Sequence, residues 1–157
     1  FRVTRILAFL EPDKYRQGAG WQLWQSQIGL ASGGVFGTGP GLARSKWGFL
    51  PEAHTDFILA VIGEELGLIG SLFVLGLFVA FMASGCAIGM RARTTFGRLV
   101  AFGITTWIGV QALINIGVTV GTLPTKGITL PFVSYGGSSL LMSLFGVGIL
   151  LSVARAA

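Results

Sequence analysis

Trp47-Gly-Phe-Leu-Pro-Glu-Ala-His-Thr-Asp-Phe-Ile-Leu-Ala-Val-Ile-Gly-Glu-Glu-Leu-Gly67 decides the fold of this chain, because it sets carboxylates at the mouth of a long apolar run. Glu52, Asp56, Glu64 and Glu65 are four of the six acidic residues of the sequence, and His54 is its only histidine. Carboxylates are costly at a membrane boundary, so their gathering there calls for a function. A helix opening at Pro51, a residue suited to the first helical position, aligns Glu52, Asp56, Ala60, Gly63, Gly67 and Gly70 at spacings of three and four. The stripe is acidic at its outer end and small along its length, so another helix or a substrate chain can approach it closely. Asp56 is the expected chemical centre.

Working outward, the composition is that of a membrane protein: of 157 residues, 52% are hydrophobic and 11% charged, with a mean hydropathy of +0.77. The chain opens on Phe1 rather than Met, with no signal-peptide pattern ahead of the first polar stretch, and reads as part of a longer membrane protein. Cys86 stands alone in apolar sequence, which excludes an internal disulfide and a thiolate metal cluster. It reads as a small buried or lipid-facing hydrophobe.

Residues 1–56 contain no run of the ~20 apolar residues a bilayer crossing needs and read as a large extracytoplasmic loop. Within it, Trp21, Trp24, Ile28 and Ala31 share one side of a helix, an amphipathic segment suited to the headgroup zone. The glycine run Ser32–Gly41 follows as a re-entrant or interfacial turn. It lacks the strand and the Gly-Lys-Ser/Thr sequence that a nucleotide loop requires. Three spans are expected: 57–90, with its membrane core over 66–88 and its acidic end at the interface or in a protein-lined cavity; 99–120; and 138–154. Residues 91–98 form a basic turn, 121–137 a second external loop and 155–157 a tail. The fold class is therefore an all-α integral membrane protein. Arg91, Arg93, Arg98 and Arg155 fall on one side, which the positive-inside rule makes cytoplasmic. The 1–56 loop is basic too, which suits either an anionic partner such as a lipid phosphate or simple headgroup binding.

Leu50-Pro-Glu-Ala-His-Thr-Asp-Phe-Ile58, Gly63-Glu-Glu-Leu-Gly67 and Pro124-Thr-Lys-Gly-Ile-Thr-Leu-Pro-Phe-Val-Ser-Tyr-Gly-Gly-Ser-Ser139 resemble the signature blocks of the SEDS family (shape, elongation, division and sporulation), which includes FtsW, RodA and SpoVE. The resemblance covers essentially the whole chain, matches the C-terminal part of those proteins, and is nearer to FtsW and SpoVE than to RodA. It implies a peptidoglycan glycosyltransferase that polymerises lipid II at the outer face of the bacterial cytoplasmic membrane, during cell division or cell-shape maintenance, beside a class B penicillin-binding protein and other division proteins. Asp56 matches the external-loop aspartate taken to be essential.

Such a reaction needs a base for the acceptor hydroxyl and positive charge or donors near the departing pyrophosphate. An ordinary Asp, with pKa ~3.9, is a weak base, which partial burial and Glu52 would strengthen. Without the motif, Asp56 reads as a carboxylate satisfying helix N-terminal amides. Arg2, Arg5, Lys46 and Lys126 are candidate pyrophosphate contacts, and each taken singly reads more readily as a contact to anionic lipid. Ser134, Gly136, Gly137, Ser138 and Ser139 open the last helix as an anion site or as an ordinary cap. His54 would orient Asp56, and one histidine alone makes no metal site. No cofactor is evident; a divalent cation such as Mg2+ suits a pyrophosphate substrate, although no dedicated ligand set is visible. Glu64 and Glu65 project about 100° apart, so at most one lines the Asp56 face. Two other classes stay open, a lipid II transporter and a membrane scaffold of the division machinery. A transporter needs charge deep in its spans, where the second and third spans carry only Gln111 and Asn115.

Overall fold

A computed structural model describes residues 20–42, 56–124 and 127–156. Four helices carry them: α1 (Trp21–Gly33), α2 (Ile58–Arg91), α3 (Thr95–Val120) and α4 (Gly137–Ala156). The last three are long and apolar enough to cross a membrane, matching the three expected spans to within a few residues. The expected basic turn is shorter than 91–98. Thr94 is extended and its side chain accepts a hydrogen bond from Gly97 N, so α3 begins at Thr95. Thr94→Ala should cost about 1 kcal/mol through the lost cap, seen as a lower unfolding midpoint in detergent with no change in activity.

The spans run antiparallel and meet through small residues. A methyl group added at Gly85 would collide with Thr105, one at Gly89 would crowd the Phe102 ring, and one at Gly109 would strike Met82. Gly97 lies against Val153, and Gly146 against Ile104 and Trp107. Lipid is as apolar as leucine, so close approach of backbones rather than hydrophobic burial holds such helices together. Leu72, Phe73, Leu77, Leu113, Leu141 and Phe145 are accordingly exposed. Arg91, Arg93, Arg98 and Arg155 gather at one end, opposite the 121–136 loop.

The largest departure from expectation lies inside α2. Gly67 has φ 69° and ψ −162°, a conformation that only glycine adopts readily, and the helix breaks there. In a straight helix Gly63 and Ser71 would be about 12 Å apart and Leu59 and Phe78 about 28 Å. Instead a methyl on Gly63 would stand 3.1 Å from Ser71 Oγ, and Leu59 and Phe78 share a cluster with Ala112 and Leu130. A short arm, residues 58–66, is therefore folded back beside the head of the long arm, residues 68–91.

A break inside a membrane helix strands backbone groups that water cannot reach. The segment after α1 takes them up. Thr38 N and Oγ1 both donate to Glu64 O at 2.9 Å, and Gly39 N donates to Glu65 O at 3.1 Å. Leu68 N donates to Gly34 O at 3.0 Å and Ile69 N to Val35 O at 3.4 Å. These are the two carbonyls and the two amides that a continuous helix would have paired with each other. Glu65 Oε1 closes the arrangement by accepting from Gly41 N at 3.1 Å. The glycine run is thus the partner of the break, as a re-entrant turn, and not a free external loop.

α1 packs on this arm with its small face. Leu23, Ser26, Gly29 and Gly33 are buried while Trp21, Ile28 and Ala31 are exposed, and Gly33 meets the Gly63 carbonyl directly. Ser26 Oγ donates to Leu23 O and to Thr119 O, 2.8 and 3.3 Å away. The helix expected at 21–31 is present, with its aromatic side turned away from the protein.

Candidate functional site

The small stripe Ala60, Gly63, Gly67 and Gly70 is buried as expected, but it does not extend as one helix back to Glu52. Asp56 and Phe57 form a turn, Phe57 has φ −115° and ψ 25°, and α2 begins at Ile58. Phe57 anchors that turn, being 2% exposed and packed with Ala60, Val61 and Val118. Because the short arm is folded back, its start lies deeper than its end. Glu64 and Glu65 sit at the bend, and Asp56 sits beside Asn115, five residues before the end of α3, about 7.5 Å inward along its axis. Asp56 therefore occupies a recess and not the outer lip of the span.

Asn115 defines the recess. It is 2% exposed, and its Nδ2 donates to Asp56 O at 2.8 Å and to Ile128 O at 2.7 Å. A methyl built on Gly127 would stand 3.3 Å from Asp56 Oδ2, so the carboxylate lies against the main chain that opens the second loop. That loop then turns down into the helices. Leu130 is 1% exposed in the Leu59–Phe78–Ala112 cluster, and the Phe132 ring stacks edge-on to Phe81 with centroids 5.9 Å apart. Phe132 has φ 65°, a costly conformation for a bulky residue and the kind held in place where a site needs it.

The same turn builds one wall of an open cavity of about 550 Å³, lined by Ile58, Ser134, Tyr135, Gly136, Gly137 and Leu140 among others. Ile58, two residues from Asp56, lines this cavity together with Gly136 and Gly137 at the N-terminus of α4, so the Asp56 turn adjoins it. Ser134 is 8% exposed; its hydroxyl accepts from Leu130 N at 2.8 Å and closes the turn. Gly136 O accepts from Leu140 N, the first bond of α4. The amides of its first turn have no carbonyl within the helix to bond, which makes this end attractive to anions. Gly137 and Ser138 are exposed there. The Ser139 hydroxyl is already engaged, accepting from Thr129 Oγ1 at 2.9 Å. Tyr135 is 84% exposed at the rim.

Of the residues singled out from sequence, Ser134, Gly136 and Gly137 line this cavity, Ser138 and Ser139 follow in the first turn of α4, and Asp56 lies in the turn that leads into Ile58. Arg2, Arg5, Lys46, Glu52, His54 and Lys126 lie outside the described residues. Glu64 is 3% exposed and Glu65 braces the glycine turn, so both belong to the bend, away from Asp56. Among the described residues no three His, Cys, Asp or Glu side chains gather as a metal site. The residue that sequence reasoning missed is Asn115. The available signal was an amide in the middle of an apolar helix, which in a membrane marks a partner to be found.

The FtsW/RodA/SpoVE family, described as cell cycle proteins, matches residues 1–157. The probable peptidoglycan glycosyltransferase FtsW of Geobacter metallireducens is 51% identical over 153 residues, 98% of this chain and 41% of the relative. That of Coxiella burnetii is 50% identical over 157 residues, 98% of this chain and 42% of the relative. The chain thus spans about two fifths of the length of these relatives. Among solved structures, a peptidoglycan synthase complex, described as coordinating polymerization and crosslinking, matches 97% of this chain and 41% of its own with TM-score 0.77 and 32% identity. The rod shape determining protein RodA of Thermus thermophilus matches 66% of this chain and 35% of its own with TM-score 0.62 and 38% identity. With three helices long and apolar enough to cross a membrane and a family match along its whole length, the chain is part of a multi-pass membrane protein and belongs to the FtsW/RodA/SpoVE family.

Proposed function

We propose that this protein is a peptidoglycan glycosyltransferase that polymerises lipid II, with Asp56 as the base. The observation that carries the reading is that the Asp56 turn adjoins, through Ile58, a cavity that the N-terminus of α4 also lines. A carboxylate there can take the proton from the acceptor sugar hydroxyl as that oxygen bonds to the donor's anomeric carbon. The bond from that carbon to the lipid pyrophosphate breaks, and the anion leaves toward amide donors suited to phosphate. A divalent cation such as Mg2+ would travel with the pyrophosphate. The relatives named as probable peptidoglycan glycosyltransferases support the activity. The solved complex that coordinates polymerization with crosslinking supports a class B penicillin-binding protein as partner.

The recess opens at the end opposite Arg91, Arg93, Arg98 and Arg155. By the positive-inside rule this supports a site facing outward from the bacterial cytoplasmic membrane. A broken helix is also a device of transporters, whose exposed half-helix ends bind ions. Here Thr38, Gly39, Gly34 and Val35 already occupy the groups freed by the break, which favours a fixed scaffold for Asp56. The test is reconstitution of the full-length protein with its transpeptidase partner in liposomes carrying lipid II. Glycan strands are expected on gels. Movement of fluorescent lipid II across the bilayer without strand formation would replace this reading with transport.

A further inference from the structure

We propose that Asn115 is the positioning residue of the Asp56 site, an inference that rests on reading Asp56 as the base. The buried hydroxyls of the spans bond back to their own helix: Thr105 to Ala101 O, Thr119 to Asn115 O and Ser143 to Ser139 O. Asn115 spends both amide hydrogens elsewhere, on Asp56, 59 residues away in sequence, and on Ile128, 13 residues away. Both acceptors are carbonyls, so only the NH2 group can face them and the orientation of the amide is forced. Neither carbonyl serves a helix ladder. The bond to Asp56 O fixes the main chain from which the carboxylate projects, and the bond to Ile128 O fixes the strand of loop whose Gly127 borders that carboxylate. One side chain thereby sets the distance between the base and the loop that builds the far wall of the recess.

The third polar atom supports a role beyond packing. Asn115 Oδ1 is buried with no hydrogen-bond partner among the described residues, a cost that a leucine of similar size would not carry. Retaining an amide here makes sense where its two donors are needed. Gln111, one turn earlier on α3, also has a buried oxygen without a partner among the described residues but makes no bond to Asp56 in the structure, so it serves as the control.

The experiment measures kcat and KM for lipid II in the full-length protein with its transpeptidase partner, in liposomes, per folded molecule as counted by a monodisperse unfolding transition. Asn115→Leu removes both donors at similar volume, and Asn115→Asp keeps the shape but sets oxygens where the donors were. Each should lower kcat about 10–100-fold, the usual cost of losing a group that orients a reacting one, with KM within twofold. Gln111→Leu should leave kcat unchanged. An unaltered kcat in whichever Asn115 variant folds would overturn the proposal, as would an equal loss in Gln111→Leu or a loss explained wholly by fewer folded molecules. Asp56→Asn in the same assay separates the two levels. Its inactivity beside a fully active Asn115 variant sinks only the positioning role, and its full activity sinks the reading of Asp56 beneath it.

Discussion

Asp56→Asn is expected to suppress strand formation by about 10²–10⁴-fold, the contribution of a positioned general base, while the protein still inserts and binds its partner. The substitution is mild in every other respect. Asparagine has the same shape, and the main-chain carbonyl that Asn115 holds at 2.8 Å is untouched. What disappears is the ability to take a proton from the acceptor hydroxyl. Polymerisation of lipid II in liposomes, followed on gels beside an unfolding curve, gives the answer. A variant that folds like the parent and polymerises at the parental rate would remove Asp56 from the chemistry and bring transport or scaffolding forward.

The spans and the site were legible to different degrees, for physical reasons. Hydropathy finds α2, α3 and α4 because a bilayer crossing is mainly a matter of apolar length. It is blind to φ and ψ, so residues 57–90 read as one rod and the break at Gly67 went unseen. Its partners lie in Gly34–Gly41, some thirty residues upstream, and all the bonds but the one from Gly41 N to Glu65 Oε1 are backbone or threonine, which leaves little trace in the sequence. The aromatic side of α1 was legible as a face, but what it faces was not. In lipid the small residues Ser26, Gly29 and Gly33 turn inward with Leu23, while Trp21 and Ile28 stay outside. The signature blocks singled out Asp56 and the Ser134–Ser139 stretch by resemblance, without saying how they meet. That Asn115 joins them is a contact between an amide and two carbonyls, and every residue has a carbonyl to offer.

Gly67→Val should damage the fold severely. At φ 69° a β-branched residue pays about 1–3 kcal/mol in backbone strain. Its side chain would also run into Gly37 N and the Val35 carbonyl, adding an overpacking cost of about 1–3 kcal/mol. The damage would spread, because straightening the helix at 67 would pull Glu64 O, Glu65 O, Leu68 N and Ile69 N away from the glycine turn and leave that turn's groups unpaired. The short arm would lose the fold that carries Asp56 down beside Asn115, so activity should fall with stability. Gly76→Ala is the matched comparison, since Gly76 lies in the long arm with open space around it and alanine is the better helix former. Unfolding midpoints and lipid II polymerisation of the two variants decide the matter. A Gly67→Val protein as stable as Gly76→Ala would mean that α2 can run straight, and the recess around Asp56 would then need another origin.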